Sequence, residues 1–225
     1  MKNYFYQPVK ETAKNHQVLF WGCLHYKHNP SWENPIWKMR GFNSSEEHDL
    51  AIVQNWNNKA SEETIGFLLG DIVFGRDAQS HLTFLAENLK YSKIYVMPGN
   101  HQAGWKQLFE SLDQNIYKAS HGGELIFVPN YLEAYVNGQA IVMSHYPILS
   151  WNGQGKGSWM LFSHVHGSLG KSDIGQLYIS RGYSREVSVE MASSPLTYGE
   201  IHAEMRQRKW FSPDRHDASG NTPFS

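Results

Sequence analysis

The chain has 225 residues, one cysteine, and a formal net charge of −1 from 20 basic and 21 acidic side chains. That length suits one largish domain that can bury a core without a disulfide framework, and a charge so near zero argues against a broad field for nucleic acid or a membrane surface. No apolar run approaches the ~20 residues a bilayer requires and the first residues hold no apolar signal core, so the sequence reads as a cytoplasmic protein with no transmembrane segment.

Short apolar runs ending in Gly, Asp, Asn or His predict strands over 17–22, 64–70, 93–97, 125–129, 132–136, 139–144, 158–162, 176–179 and 186–190. Ser44 stands three residues before Glu47, a capping-box signature, and predicts a helix over 45–58. Leu82, Leu85, Ala86 and Leu89 share a stripe that predicts a helix over 79–89, and a shorter stripe covers 105–112. Thr197 and Glu200 repeat the capping signature and predict a helix over 197–209. Strands and helices alternate in the first half, and strands follow closely in the second. This order predicts an α/β layered domain over 1–211, with two packed sheets or one large mixed sheet, and residues 212–225 read as a disordered tail.

Five segments place metal-ligating residue types just after an apolar run: Cys23 with His25, Asp71, Asn100 with His101, His145, and His164 with His166. Strand ends of α/β sheets are where sites assemble, and residues two apart on an extended segment project to one face. Singly, each signal is weak: a histidine at a strand end is more often a hydrogen-bonded structural residue, and a buried free cysteine more often a small hydrophobe. Together, a bridging carboxylate, neutral imidazoles and an amide oxygen are chemically suited to two cations about 3.5–4 Å apart, the arrangement used for displacement at phosphorus.

The series resembles the calcineurin-like metallophosphoesterase superfamily, whose motifs run Asp-x-His, Gly-Asp-x-x-Asp, Gly-Asn-His-Asp/Glu, His and Gly-His-x-His. LFWGCLHYKHN, FLLGDIVFG, VMPGNH, VMSHYPILSW and LFSHVHGSL look like a small bacterial and phage-type group within it, over residues 17–209. The resemblance implies a four-layer αββα sandwich of two mixed sheets flanked by helices. It also implies two divalent cations, Mn, Fe, Zn or Ni in preference to Mg. Cys23, His25, Asp71 and His166 would serve one; Asp71, Asn100, His145 and His164 the other; His101 matches the histidine that protonates the leaving group. The implied reaction is attack of a metal-activated hydroxide on a phosphodiester or phosphomonoester. With no global positive charge, a nucleotide-sized substrate is preferred to a long duplex.

The chain departs from that pattern in several places. Cys23 stands where the family has Asp; a thiolate is softer and favours Zn or Fe over Mg or Mn, or else Cys23 is no ligand and its position is weak or empty. Phe74 and Gln102 stand where the family has acids, the first of which orients the catalytic histidine, and Asp77 is a possible substitute. Ser163 replaces a Gly before His164. Trp32, Trp37, Trp105, Trp151 and Trp159 are candidate stacking platforms or core residues, while Lys27, His28, Arg40, Lys156 and Lys171 are candidate phosphate contacts or solvated charges. The competing reading is a degenerate phosphoesterase that binds a phosphorylated ligand or a partner without turnover. A dinucleotide-binding oxidoreductase lacks its glycine-rich fingerprint, and oligomeric state is not legible.

Overall fold

Eleven strands and five helices are built from the described residues of the computed structural model, which are 8–28, 34–75, 77–101, 112–180 and 182–208. One sheet holds β2 (Val18–Trp21), β3 (Ile65–Leu69), β4 (Lys93–Met97) and β6 (Glu124–Phe127) in parallel, with β11 (Leu196–Thr197) and β5 (Ile116–Lys118) antiparallel at its edges. The second runs β1 (Val9–Glu11), β7 (Tyr131–Val136), β8 (Gln139–Ser144), β9 (Trp159–Phe162) and β10 (Ser184–Glu186); β8, β9 and β10 are parallel.

Strand alternation sorts side chains into layers, because successive residues point to opposite faces. Val18, Phe20, Phe67, Leu69, Tyr95 and Met97 face Ile141, Met143, Trp159 and Leu161 across the space between the sheets. On the outer face of the six-stranded sheet, Leu19, Trp21, Leu68, Ile94 and Val96 meet Ile52 and Trp56 of α2 (Ser45–Lys59) and Leu82, Leu85 and Ala86 of α3 (Ala78–Asn88). On the outer face of the other, Val142, Met160 and Phe162 pack with Trp151 and with Tyr178 of α4 (Asp173–Ser180). The result is a layered α/β sandwich with apolar seams on both sides of each sheet. Trp56 seats on Gly66, where a Cβ would come within 2.6 Å of its ring, and its indole N–H donates to the Lys90 carbonyl at 3.0 Å.

Most predicted strands and helices lie within a residue or two of the observed ones. Ser44 accepts from the Glu47 N–H to open α2, and Thr197 and Glu200 form a full capping box on α5 (Tyr198–Gln207). The predicted strand 176–179 is instead part of helix α4. A four-residue apolar run does not distinguish the two periods; Tyr178 packs on Phe162 and hydrogen-bonds the Ile148 carbonyl, while β10 takes the place beside β9. The predicted strand 186–190 begins earlier, as β10, and continues only as a bridge from Ser188 to Gly22. The short elements β1, β5, β11 and α1 (Ile36–Met39) have no counterpart among the predictions. The helix predicted over 105–112, apart from Leu112, the end of the helix predicted over 197–209 and the whole 212–225 tail lie outside the described residues. No described helix is long and apolar enough to cross a membrane.

Candidate metal centre

The parallel strands β2, β3 and β4 and the parallel strands β8 and β9 end at one side of the sandwich, and the candidate residues occupy the turns just beyond. Beyond β2 and β3 the chains keep pairing: Cys23 N–H donates to the Gly70 carbonyl at 3.0 Å, His25 N–H to Asp71 at 2.9 Å and Tyr26 N–H to Ile72 at 2.9 Å. This ladder is not the extended segment expected from the sequence. Cys23, His25, Asp71, His164 and His166 have φ of 52°, 51°, 50°, 64° and 48°. Five of the nine non-glycine residues with positive φ among those described are therefore candidate ligands, and such backbone strain concentrates at functional sites. Glycine makes the close approach possible: a Cβ on Gly99 would collide with the Asp71 carboxylate, and one on Gly70 with the His145 ring.

The side chains form two neighbouring clusters. In the first, Cys23, His25 and His166 offer ligand atoms all within 4.8 Å of one another; in the second, Cys23, Asp71 and His145 do the same. Both groups are close enough to hold a metal ion. Around His145 Nε2 stand Asn100 Oδ1 at 2.9 Å, His164 Nδ1 at 3.2 Å and Asp71 Oδ2 at 3.4 Å. Asp71 Oδ2 is also 3.9 Å from His25 Nε2, so this carboxylate lies between the clusters. All seven candidate ligands are thus gathered at one place.

A cation suits this donor set for two reasons. His25 is 95% buried, yet neither ring nitrogen has a hydrogen-bond partner, and an orphaned buried polar group is costly. The second reason is the proton on His145. Ser163 Oγ donates to the Leu69 carbonyl, so it accepts from His145 Nδ1 at 3.0 Å. With Nδ1 on the Ser163 hydroxyl, Nε2 faces Asn100 Oδ1, Asp71 Oδ2 and His164 Nδ1, a set of donor atoms that a positive ion would hold together.

Electrostatics set the charge states. Burial pushes His25 well below the usual imidazole range, and the Arg40 charge adds to this. Burial also lowers His164, with His145 as the next cause. For Asp71, burial acts upward but is outweighed by the His145 ring and by the His101 N–H, which donates to Oδ1 at 2.9 Å; the carboxyl falls to about 2. His166 is raised to about 10, since Cys23 and Glu190 outweigh its burial.

Three residues support the centre in ways that the sequence did not indicate. Glu190 Oε1 lies 2.8 Å from His166 Nδ1 and 2.8 Å from the Arg40 guanidinium. Arg40 also donates to the carbonyls of Cys23 at 2.7 Å and Leu24 at 2.9 Å, so the two residues brace the first cluster. Arg40 had been a candidate phosphate contact; its side chain is only 6% exposed and points inward. Ser163, expected as a mild replacement for glycine, has no positive φ and fixes the His145 proton instead. No local motif marks the Arg40 to Glu190 pairing, because its members are 150 residues apart.

Other candidates are distributed differently. His101 is exposed, its ring 5.9 Å from that of His25 and 5.2 Å from Phe74. The Phe74 ring also packs 4.3 Å from His28, which burial and the neighbouring His101 lower to about 4. Asp77 sits at the start of α3 without a side-chain cap bond. Trp151 and Trp159 are core residues at 5% and 3% exposure, so neither is a stacking platform; Trp37 is half-buried, and Trp32, Trp105 and Gln102 lie outside the described residues. Lys27 pairs with Asp49 at 3.4 Å, and Lys156 and Lys171 are exposed.

Comparison with known proteins adds the fold and nothing about chemistry. No family model matches the chain, and no curated protein matches it. Among solved structures, the chain is similar to the protein of unknown function AQ665 from Aquifex aeolicus, at a TM-score of 0.58 and 18% identity over 83% of this chain and 98% of that one.

Proposed function

We propose that this protein is a phosphoesterase that uses a pair of divalent cations, of the calcineurin-like type that its motifs resemble, and acts on a nucleotide-sized phosphodiester or phosphomonoester. The observation that carries the reading is the gathering of Asn100 Oδ1, His164 Nδ1 and Asp71 Oδ2 around His145 Nε2, beside a buried His25 whose ring nitrogens have no hydrogen-bond partner. The cations, when bound, supply positive charge that makes water a nucleophile near neutral pH and neutralises phosphoryl oxygens.

The chain's own groups would do the rest. Asp71, ionised at about 2 and steadied by the His101 N–H, supplies charge between the two clusters. Asn100, His145 and His164 would supply neutral donors on one side; on the other, Cys23, His25 and His166 would ligate, His166 by giving up the proton that Cys23 and Glu190 hold on it. Hydrolysis would join a water oxygen to phosphorus while the bond to the leaving oxygen breaks, and the exposed His101 would give that oxygen its proton. The test is a screen of aryl phosphate mono- and diesters with Mn, Fe, Zn, Ni and Mg. Activity in the parent should be abolished in His145→Ala and Asp71→Asn; full activity in either variant refutes the assignment.

The packing of Phe74 rather than a carboxylate against His101 favours a second reading, a degenerate relative that binds a phosphorylated ligand without turnover. Metal content separates the two: close to two ions per chain for the enzyme, one or none for the binding module.

A further inference from the structure

The chain has a single cysteine, so Cys23 has no disulfide to form, and its sulfur is the one ligand atom common to both clusters. We propose that the Cys23 thiolate is shared by the two cation positions, making a sulfur-bridged pair that selects zinc-class cations. This rests on the metal-pair part of the proposed function and is independent of whether the protein hydrolyses esters.

Position and surroundings both support it. Sγ lies within 4.8 Å of the ligand atoms of His25 and His166 on one side, and of Asp71 and His145 on the other. A terminal ligand would be expected beside one cluster only. Two bonds of about 2.3 Å meeting at one sulfur, at an angle near tetrahedral, put two cations about 3.5–4 Å apart, the spacing of two-metal sites. Cys23 is fully buried, so water does not compete for the sulfur. The His164 N–H donates to Sγ at 3.0 Å and the Arg40 guanidinium donates to the Cys23 carbonyl at 2.7 Å, so both the side chain and the backbone of this residue are held in place between the clusters. The independent sign of a ligand is His25, 95% buried with both nitrogens unpartnered and gathered with this sulfur. Thiolate selects zinc, ferrous or cadmium ions over magnesium or calcium, which prefer oxygen.

The experiment loads the metal-free full-length chain with cadmium-113 and records its NMR spectrum. The expected result is two resonances, both displaced toward the sulfur-ligated range, with scalar coupling between them through the shared atom. In Cys23→Ser both should move back toward the oxygen and nitrogen range. One displaced resonance would make Cys23 a terminal ligand, none would make it a bystander, and a single bound ion would remove the pair; each overturns the proposal. Should Cys23→Ser not fold, cobalt titration of the unaltered chain gives the same decision. Near-ultraviolet thiolate-to-cobalt absorption should grow equally with the first and second equivalents, whereas growth with one equivalent alone refutes the bridge. Neither readout uses hydrolysis, so a bridged pair in a protein without phosphoesterase activity would sink the enzyme reading and leave this one standing.

Discussion

Replacing Arg40 with Met should cost this protein several kcal/mol. The guanidinium is 6% exposed and its partner Glu190 20%; besides that carboxylate it holds the carbonyls of Cys23 and Leu24. Breaking a buried pair from one side leaves an uncompensated charge, at about 3–5 kcal/mol. The carboxylate gives a similar figure. Its contacts with His166 and Arg40 outweigh burial and lower Glu190 from 4.5 to about 2, which corresponds to roughly 3 kcal/mol shared between the two partners. Because the folded value is depressed, this stabilisation is present above about pH 4.5 and is lost as the pH falls through about 2. Urea unfolding of the metal-free protein, followed by tryptophan fluorescence, reads the effect without the screening that guanidinium would add. Arg40→Met should lose about 3–5 kcal/mol at neutral pH, and Arg40→Met/Glu190→Gln less than the sum of the single variants. A loss below about 1 kcal/mol at unchanged m-value would refute the view that this pair braces the first cluster.

Three further outcomes follow from the packing. Gly99→Ala should weaken zinc binding at least tenfold by calorimetry, because its Cβ displaces the Asp71 carboxylate; unchanged affinity would mean that Asp71 does not ligate from its present position. Ser163→Ala leaves the His145 Nδ1 proton with the Leu69 carbonyl at 3.2 Å alone and should lower zinc affinity roughly 10-fold, the low end of the cost of losing such a support. Trp56→Ala empties the space over Gly66 between α2 and the six-stranded sheet and should cost about 3–5 kcal/mol in urea unfolding, while zinc affinity stays that of the parent.

The short apolar runs in 64–70, 93–97 and 139–144 and the polar residues that close them were enough to draw the strands, since apolar content and turn chemistry are local properties, and the Ser44 and Thr197 boxes fixed two helix starts for the same reason. The candidate ligands were also legible, as polar residues following apolar runs. Where locality failed, so did the reading: 176–179 carries no period long enough to separate helix from strand, and β1, β5 and β11 are two or three residues long and exist only through their partners.

Sequence by itself determined a layered α/β chain and the residue types its centre could use. Only the tertiary structure decided that Arg40 turns inward to Glu190 and the Cys23 carbonyl, that Ser163 sets the His145 proton, and that Trp151 and Trp159 are spent on the core. Each depends on contacts between segments far apart in the chain, and the energy of such a contact comes from burial and geometry that no local pattern encodes.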